Sequence, residues 1–231
     1  MEREAPPSDM LCSICKIKGL AWRCLDCVGG CSCCTSCLRH LHQRLPFHRI
    51  QSWDGSCFQP AWLYQAGVEL HLGHDGERCP ANQPDEEDDL SDKGVPWLSA
   101  APSVDQDDEW EDVPFPEGDR PTLSAGFPVY KKRHHKLLVD RTGVHPMQVN
   151  LCHCPDAESQ DLQYMATGLF PSSFLEVETA FTFTLLDDLR MDNLECKTAV
   201  QNFWHRLRRI TAPLQPESVP VSLTIEVLRM V

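Results

Sequence analysis

Apolar residues recur at helical spacing in three stretches of this chain. Between Lys197 and Ile210 the residues Ala199, Val200, Phe203, Leu207 and Ile210 share one face, which predicts the strongest helix. Cys37 and Leu41 predict a shorter helix over Ser36 to Arg44, and Ser159 to Gly168 predicts a third, with Gly168 placed to stop it. Elsewhere the pattern alternates. Val68 to Leu72 reads as a strand. His135 to Asp140 and Val144 to Cys152 read as two more, joined by an Arg141-Thr142-Gly143 turn into a hairpin. Thr179 to Leu185 alternates Phe and Thr as a half-buried strand does. Trp53-Asp54-Gly55 reads as a turn. Pro60 to Ala66 predicts one or two helical turns, with Pro60 first, where its missing N–H costs nothing. There is no internal repeat.

The pattern lapses over residues 81–128. Asp85 to Asp89 is a carboxylate run, and Pro, Ser and Asp dominate up to Phe127. Such a segment buries too little apolar surface to offset chain ordering, so it is expected to be disordered. Trp97 and Trp110 within it read either as an acidic-aromatic binding motif or as low-complexity sequence. The segment also explains the net charge of −13: residues 81–119 hold fourteen Asp or Glu against Lys93, so the remainder is formally neutral. That is not the balance of a strong non-specific nucleic-acid binder. Two local basic clusters remain. Arg39, Arg44 and Arg49 are candidates for nucleic-acid contact. Lys131, Lys132, Arg133 and Lys136 read either as a weak nuclear-import signal or as a solvated strand end.

Thirteen cysteines, ten of them before residue 80, change the picture most. Met1 to Met10 has no apolar signal-peptide region, so intracellular zinc binding is expected rather than a secreted disulfide framework. No apolar run approaches the ~20 residues of a membrane span. Cys12, Cys15, Cys24, Cys27, Cys34 and Cys37 form three C-x2-C pairs, followed by His42 and His48. A C-x2-C turn brings two thiolates to one tetrahedral zinc, so eight such ligands predict two zincs. Interleaved wiring puts Cys12, Cys15, Cys34 and Cys37 on one ion and Cys24, Cys27, His42 and His48 on the other. Sequential wiring puts the first four cysteines together. Interleaving ties the segment ends to each other and resembles the B-box type of zinc finger. Cys31, Cys33 and His40 compete for ligand roles, and Cys34 is preferred over Cys33 for its spacing to Cys37. Closed four-ligand sites are structural. With so small a core, each would supply roughly 10–16 kcal/mol of folding energy.

A second set is split along the chain: His74 and Cys79 before the acidic segment, Cys152 and Cys154 after it, with His145 and His153 nearby. From spacing alone these are either a third zinc site or unrelated side chains, because C-x-C is a poorer signal than C-x2-C. Cys57 and Cys196 are isolated and expected to be core thiols. No Ser-His-Asp pattern, phosphate loop or deaminase motif occurs, so no catalytic residue is assigned and a non-enzyme is expected.

Longer strings carry a resemblance. Arg23-Cys24-Leu25-Asp26-Cys27, Cys34-x2-Cys37, Pro46-Phe47-His48-Arg49-Ile50, Trp53, Phe58, Gly67 and Leu72-Gly73-His74 through Cys79-Pro80 come first. Gly143-Val144-His145, Cys152-x-Cys154, Gly168-Leu169-Phe170-Pro171, Thr179 to Phe183 and Phe203-Trp204-x2-Leu207-x2-Ile210-Thr211 follow. Together they resemble the CxC-type cysteine cluster found N-terminal to Kyakuja–Dileera–Zisupton (KDZ) transposases, abundant in fungal genomes. The resemblance implies that His74, Cys79, Cys152 and Cys154 are zinc ligands, making a third zinc. It also implies nuclear localisation and a chain that stops before the transposase's catalytic domain, either as a truncated module or as a degenerate element copy. The expected fold is a small, zinc-stabilised α+β protein in five parts. They are a disordered N-terminus over 1–11, a B-box-like cross-braced binuclear zinc module over 12–50, an α+β cysteine-cluster domain formed by 51–80 and 129–212, a long acidic disordered insert over 81–128, and an irregular tail over 213–231. The expected role is non-catalytic binding of DNA or a protein partner, with no membrane and no small-molecule substrate; the alternative is a B-box-type protein-interaction scaffold.

Overall fold

The computed structural model describes residues 10–17, 19–82 and 135–220. Residues 83–128 of the expected acidic insert, with Trp97 and Trp110, and Lys131, Lys132 and Arg133 lie outside the described residues. The described residues up to 81 and from 135 onward fall in one compact unit, a mixed strand and helix fold built on two sheets.

The first sheet has four short antiparallel strands in the order β2-β1-β3-β4: β1 Trp22–Cys24, β2 Cys31–Cys33, β3 Ile50–Trp53 and β4 Phe58–Ala61. Alternation sends Trp22, Cys24, Cys31, Cys33, Ile50 and Ala61 into the core. Pro60 lies inside β4 rather than opening a helix. β4 is an edge strand, where a residue without an N–H is tolerated. The helical turn begins only at Leu63 and runs to Ala66. Helix α1, Thr35–His42, follows β2 directly and buries Leu38 and His42.

The second sheet has the order β5-β7-β6-β9-β8. Its centre is the hairpin of β6, His135–Asp140, and β7, Gly143–Asn150, closed by Arg141 and Thr142. β5, Glu69–His71, adds parallel to β7. β9, Thr179–Thr182, adds parallel to β6, and β8, Leu169–Pro171, forms the outer edge. β6 is buried on both faces. Leu138 joins a core shared with Trp22, Leu38, Leu63, Leu72, Met147 and Tyr164. Leu137 and Val139 join a second core with Phe181, Leu185, Phe203, Trp204 and Leu207. Helix α2, Gln160–Ala166, precedes β8, and Gly168 ends it with a φ of 82°.

Helix α3, Phe183–Cys196, replaces the last residues of the strand expected over Thr179 to Leu185. The Thr182 hydroxyl accepts from Leu185 N and caps the helix, so a local hydrogen bond overrides the Phe/Thr alternation. Lys197, expected to open the next helix, instead sits at a φ of 53° as the left-handed C-cap of α3. Helix α4 therefore runs Val200–Thr211. Beyond it Val219 is fully buried in the second core. Cys57 and Cys196 are not core thiols: both are exposed, Cys57 in a turn held by Asp54 and Cys196 at the end of α3. No described helix is long and apolar enough to cross a membrane.

Candidate metal centres

Three sets of four ligand residues converge, and in each the ligand atoms lie within 4.8 Å of one another. The first is Cys12, Cys15, Cys34 and Cys37; the second is Cys24, Cys27, His42 and His48; the third is His74, Cys79, Cys152 and Cys154. The first two follow the interleaved grouping, not the sequential one.

Tetrahedral zinc, with Zn–S near 2.3 Å and Zn–N near 2.0–2.1 Å, requires ligand edges of about 3.8 Å for S–S and about 3.5 Å for S–N. Cys15 and Cys34 sulfurs are 3.9 Å apart. In the second set the Cys24 and Cys27 sulfurs lie 3.5 and 3.4 Å from His48 Nδ1, and Cys27 lies 3.5 Å from His42 Nε2. In the third, Cys79 is 3.7 Å from Cys152 and 3.6 Å from Cys154, while His74 Nε2 is 3.2 and 3.4 Å from Cys152 and Cys154. Each set could hold a metal ion, with edges of zinc's size.

Local structure explains how the ligands are presented. Cys34 is the N-cap of α1 and Cys37 lies in its first turn, so the third C-x2-C straddles the helix start. Cys34, not Cys33, joins Cys12, Cys15 and Cys37 in this set, while Cys31 and Cys33 are buried in β2 beside it. His40 is exposed on α1. His42 donates from Nδ1 to Leu38 O at 3.0 Å, which fixes the tautomer that leaves the Nε2 lone pair for a metal. Burial lowers the pKa of His42 and keeps the imidazole neutral, as a ligand must be. Asp26, between Cys24 and Cys27, accepts from Arg49 N at 2.6 Å and ion-pairs with its guanidinium at 2.6 Å. This clamp fixes the backbone beside His48. The Arg49 partner holds the Asp26 carboxyl below its usual range despite the opposing effect of burial.

The third set joins His74 and Cys79 to Cys152 and Cys154, which lie more than seventy residues further along the chain. His74 sits at a φ of 47° and Asp75 at 54°, left-handed conformations that non-glycine residues adopt at a cost. A Cβ on the preceding Gly73 would come 3.1 Å from Cys152 Cβ. Cys152 is clamped by buried Gln163 of α2. Gln163 Oε1 accepts from Cys152 N at 2.8 Å, and its Nε2 donates to Cys152 O at 3.1 Å and to Glu158 O at 2.7 Å. Sequence reasoning missed Gln163; only its place on the inner face of a helix following Cys154 could have signalled it. His145 lies elsewhere, buried with Nε2 2.9 Å from Thr142 Oγ1. Burial pushes its pKa down to about 4.

The thiols show the electrostatics of ligands packed at bonding distance. In the first set burial pushes Cys12 up, but backbone N–H groups of Cys34, Cys15 and Ile14 overcome it and hold the thiol near 6. Cys37 is pushed up by its contacts with Cys34, Cys15 and Cys12. In the second set burial raises Cys24 to about 11. In the third, the His153 backbone N–H holds Cys79 near 6, and Cys79 in turn drives Cys154 to about 11. One thiolate forms readily and discourages the others, a repulsion that a divalent cation removes.

The candidate nucleic-acid arginines are not equally free. Arg39 Nε donates to Ala66 O, and Gly67 packs against its guanidinium. Arg49 is committed to Asp26. Arg44 is exposed.

No curated protein and no solved structure matches the chain. A family model does match, over a part that contains Cys152 and Cys154 but not His74 or Cys79. Residues 125–215 match the model of the CxC2-like cysteine cluster associated with KDZ transposases.

Proposed function

We propose that this chain is a non-catalytic zinc-binding module of a KDZ-type transposase, folded around three structural zinc ions and serving to bind DNA or a protein partner. The observation that carries the reading is the set of three closed four-ligand clusters at tetrahedral zinc spacing. Four protein ligands per ion leave no position for a metal-bound water, which favours a structural over a hydrolytic role. The interleaved grouping of the first two sets supports a B-box-like cross-braced module, and the family match supports the transposase association. Cobalt substitution tests the reading. Three tetrahedral thiolate-bound cobalt ions whose visible spectrum ignores added azide fit closed sites. A spectrum that shifts with azide reveals an open position and would favour an enzyme.

A further inference from the structure

One face of the first sheet joins neither core among the described residues. Register places Arg23 opposite both Ser32 and Gln51, Gln51 opposite Pro60, and Trp53 opposite Phe58, all pointing away from the metal-bearing side. None of these six side chains is buried, and neither ring belongs to a core cluster. They are nonetheless held in place. Trp53 and Phe58 lie 5.1 Å apart between ring centroids. The Arg23 guanidinium stacks 4.2 Å from the Phe58 centroid, and its Nε donates to Gln51 Oε1 at 2.9 Å. Arg49, Arg141 and Arg206 pair with carboxylates, whereas Arg23 has no carboxylate partner among the described residues. Phe58 thus touches both the Arg23 guanidinium and the Trp53 ring.

We propose that this face is a stacking platform for single-stranded DNA. Unpaired bases would stack on Trp53 and on the guanidinium plane of Arg23, and Arg23 would also meet the phosphates. A fixed aromatic ring beside an unpaired arginine on an open sheet matches the sequence-tolerant recognition of unpaired bases. Charge agrees. Residues 10–61 carry Lys16, Lys18, Arg23, Arg39, Arg44 and Arg49 against only Asp26 and Asp54. A four-thiolate zinc site removes two of those positive charges and leaves the region cationic. The proposal rests on the DNA-binding half of the function proposed above, and DNA is chosen over RNA because the matched family is transposase-associated.

The test is fluorescence anisotropy of a labelled twenty-nucleotide oligothymidine with the zinc-loaded full chain. Each variant's zinc content is checked by mass spectrometry. Trp53→Ala is expected to weaken binding at least tenfold, while Trp53→Phe stays within threefold of wild type but loses the tryptophan quenching that accompanies binding. Arg23→Gln is expected to weaken binding and flatten its salt dependence by about 0.7 in the log–log slope. If oligothymidine binds but zinc-replete Trp53→Ala matches wild type, this face is not the site, and DNA binding itself survives. Tenfold tighter binding of oligouridine or of duplex DNA overturns the choice of occupant. No binding of either DNA form sinks both this proposal and the DNA half of the broader reading.

Discussion

Gln163→Ala tests whether the third metal centre depends on residues outside its four ligands. The side chain is buried and makes three hydrogen bonds, two of them to the backbone of Cys152. Truncation leaves the Cys152 N–H unpaired next to the site and frees the ligand to rotate. Losing a partner of a buried backbone group costs about 1–3 kcal/mol. Removing a residue that orients a ligand typically costs 10–100-fold in metal affinity, or about 1.4–2.8 kcal/mol, so two independent estimates agree. The assay is titration of the zinc-loaded chain with a chromophoric chelator. One zinc is expected to leave the variant at 10–100-fold lower chelator concentration, while the other two leave as in wild type. Unchanged release of all three zincs would refute the reasoning, even with a lowered melting temperature, because it would make Gln163 a packing residue only. Equal weakening of all three would refute it too, by showing one cooperative metal unit rather than an effect on one centre.

Further expectations concern the fold. His145 has its folded-state pKa lowered to about 4 from the ordinary 6.5. Between those values the unfolded chain holds more protons, so this contribution is complete above pH 6.5, falls as pH drops towards 4 and then levels off. The span corresponds to roughly 3 kcal/mol. With zinc held in excess, His145→Gln should show a shallower acid loss of the urea midpoint than wild type, and parallel curves would contradict this. Gly143→Ala should cost about 2–3 kcal/mol, because Gly143 has a φ of 133° and a Cβ would meet Thr211 Oγ1 at 2.8 Å, the atom that accepts from Val144 N. Chemical unfolding of a variant that keeps its zinc measures this. Brief alkylation of the zinc-loaded chain should label Cys57 and Cys196, both exposed and outside the metal sets, and spare Cys31 and Cys33, buried in β2. Peptide mass mapping reads the outcome, and rapid labelling of Cys33 would contradict the inward facing of β2.

The Cys/His sets that could hold metal were legible because tetrahedral coordination imposes spacing on the chain: C-x2-C is itself a geometric statement. The third set was fainter, since His74 and Cys152 are brought together across 78 residues and only the paired sheet strands do it. The first sheet was illegible. Its strands are three or four residues long, too short for alternation to register, and its buried face mixes Cys24, of the second candidate set, with the core cysteines Cys31 and Cys33. Helix α3 was missed because Leu185, Leu186 and Leu189 are buried while Phe183, Met191 and Leu194 are exposed, which erases the helical period. Cys57 and Cys196 were misplaced because a cysteine's type says nothing of its neighbours. Asp26, paired with Arg49 beside His48, and Gln163, hydrogen-bonded to Cys152, left no mark in the spacing.

The most direct measurement is zinc stoichiometry of the purified, reduced full chain by native mass spectrometry with metal analysis. Three zincs per chain are expected. Removing the third alone, with Cys79→Ser and Cys154→Ser together, should leave two. Two zincs in the wild type would deny a metal role to His74, Cys79, Cys152 and Cys154. None, in a metal-supplied sample, would contradict the account at its root.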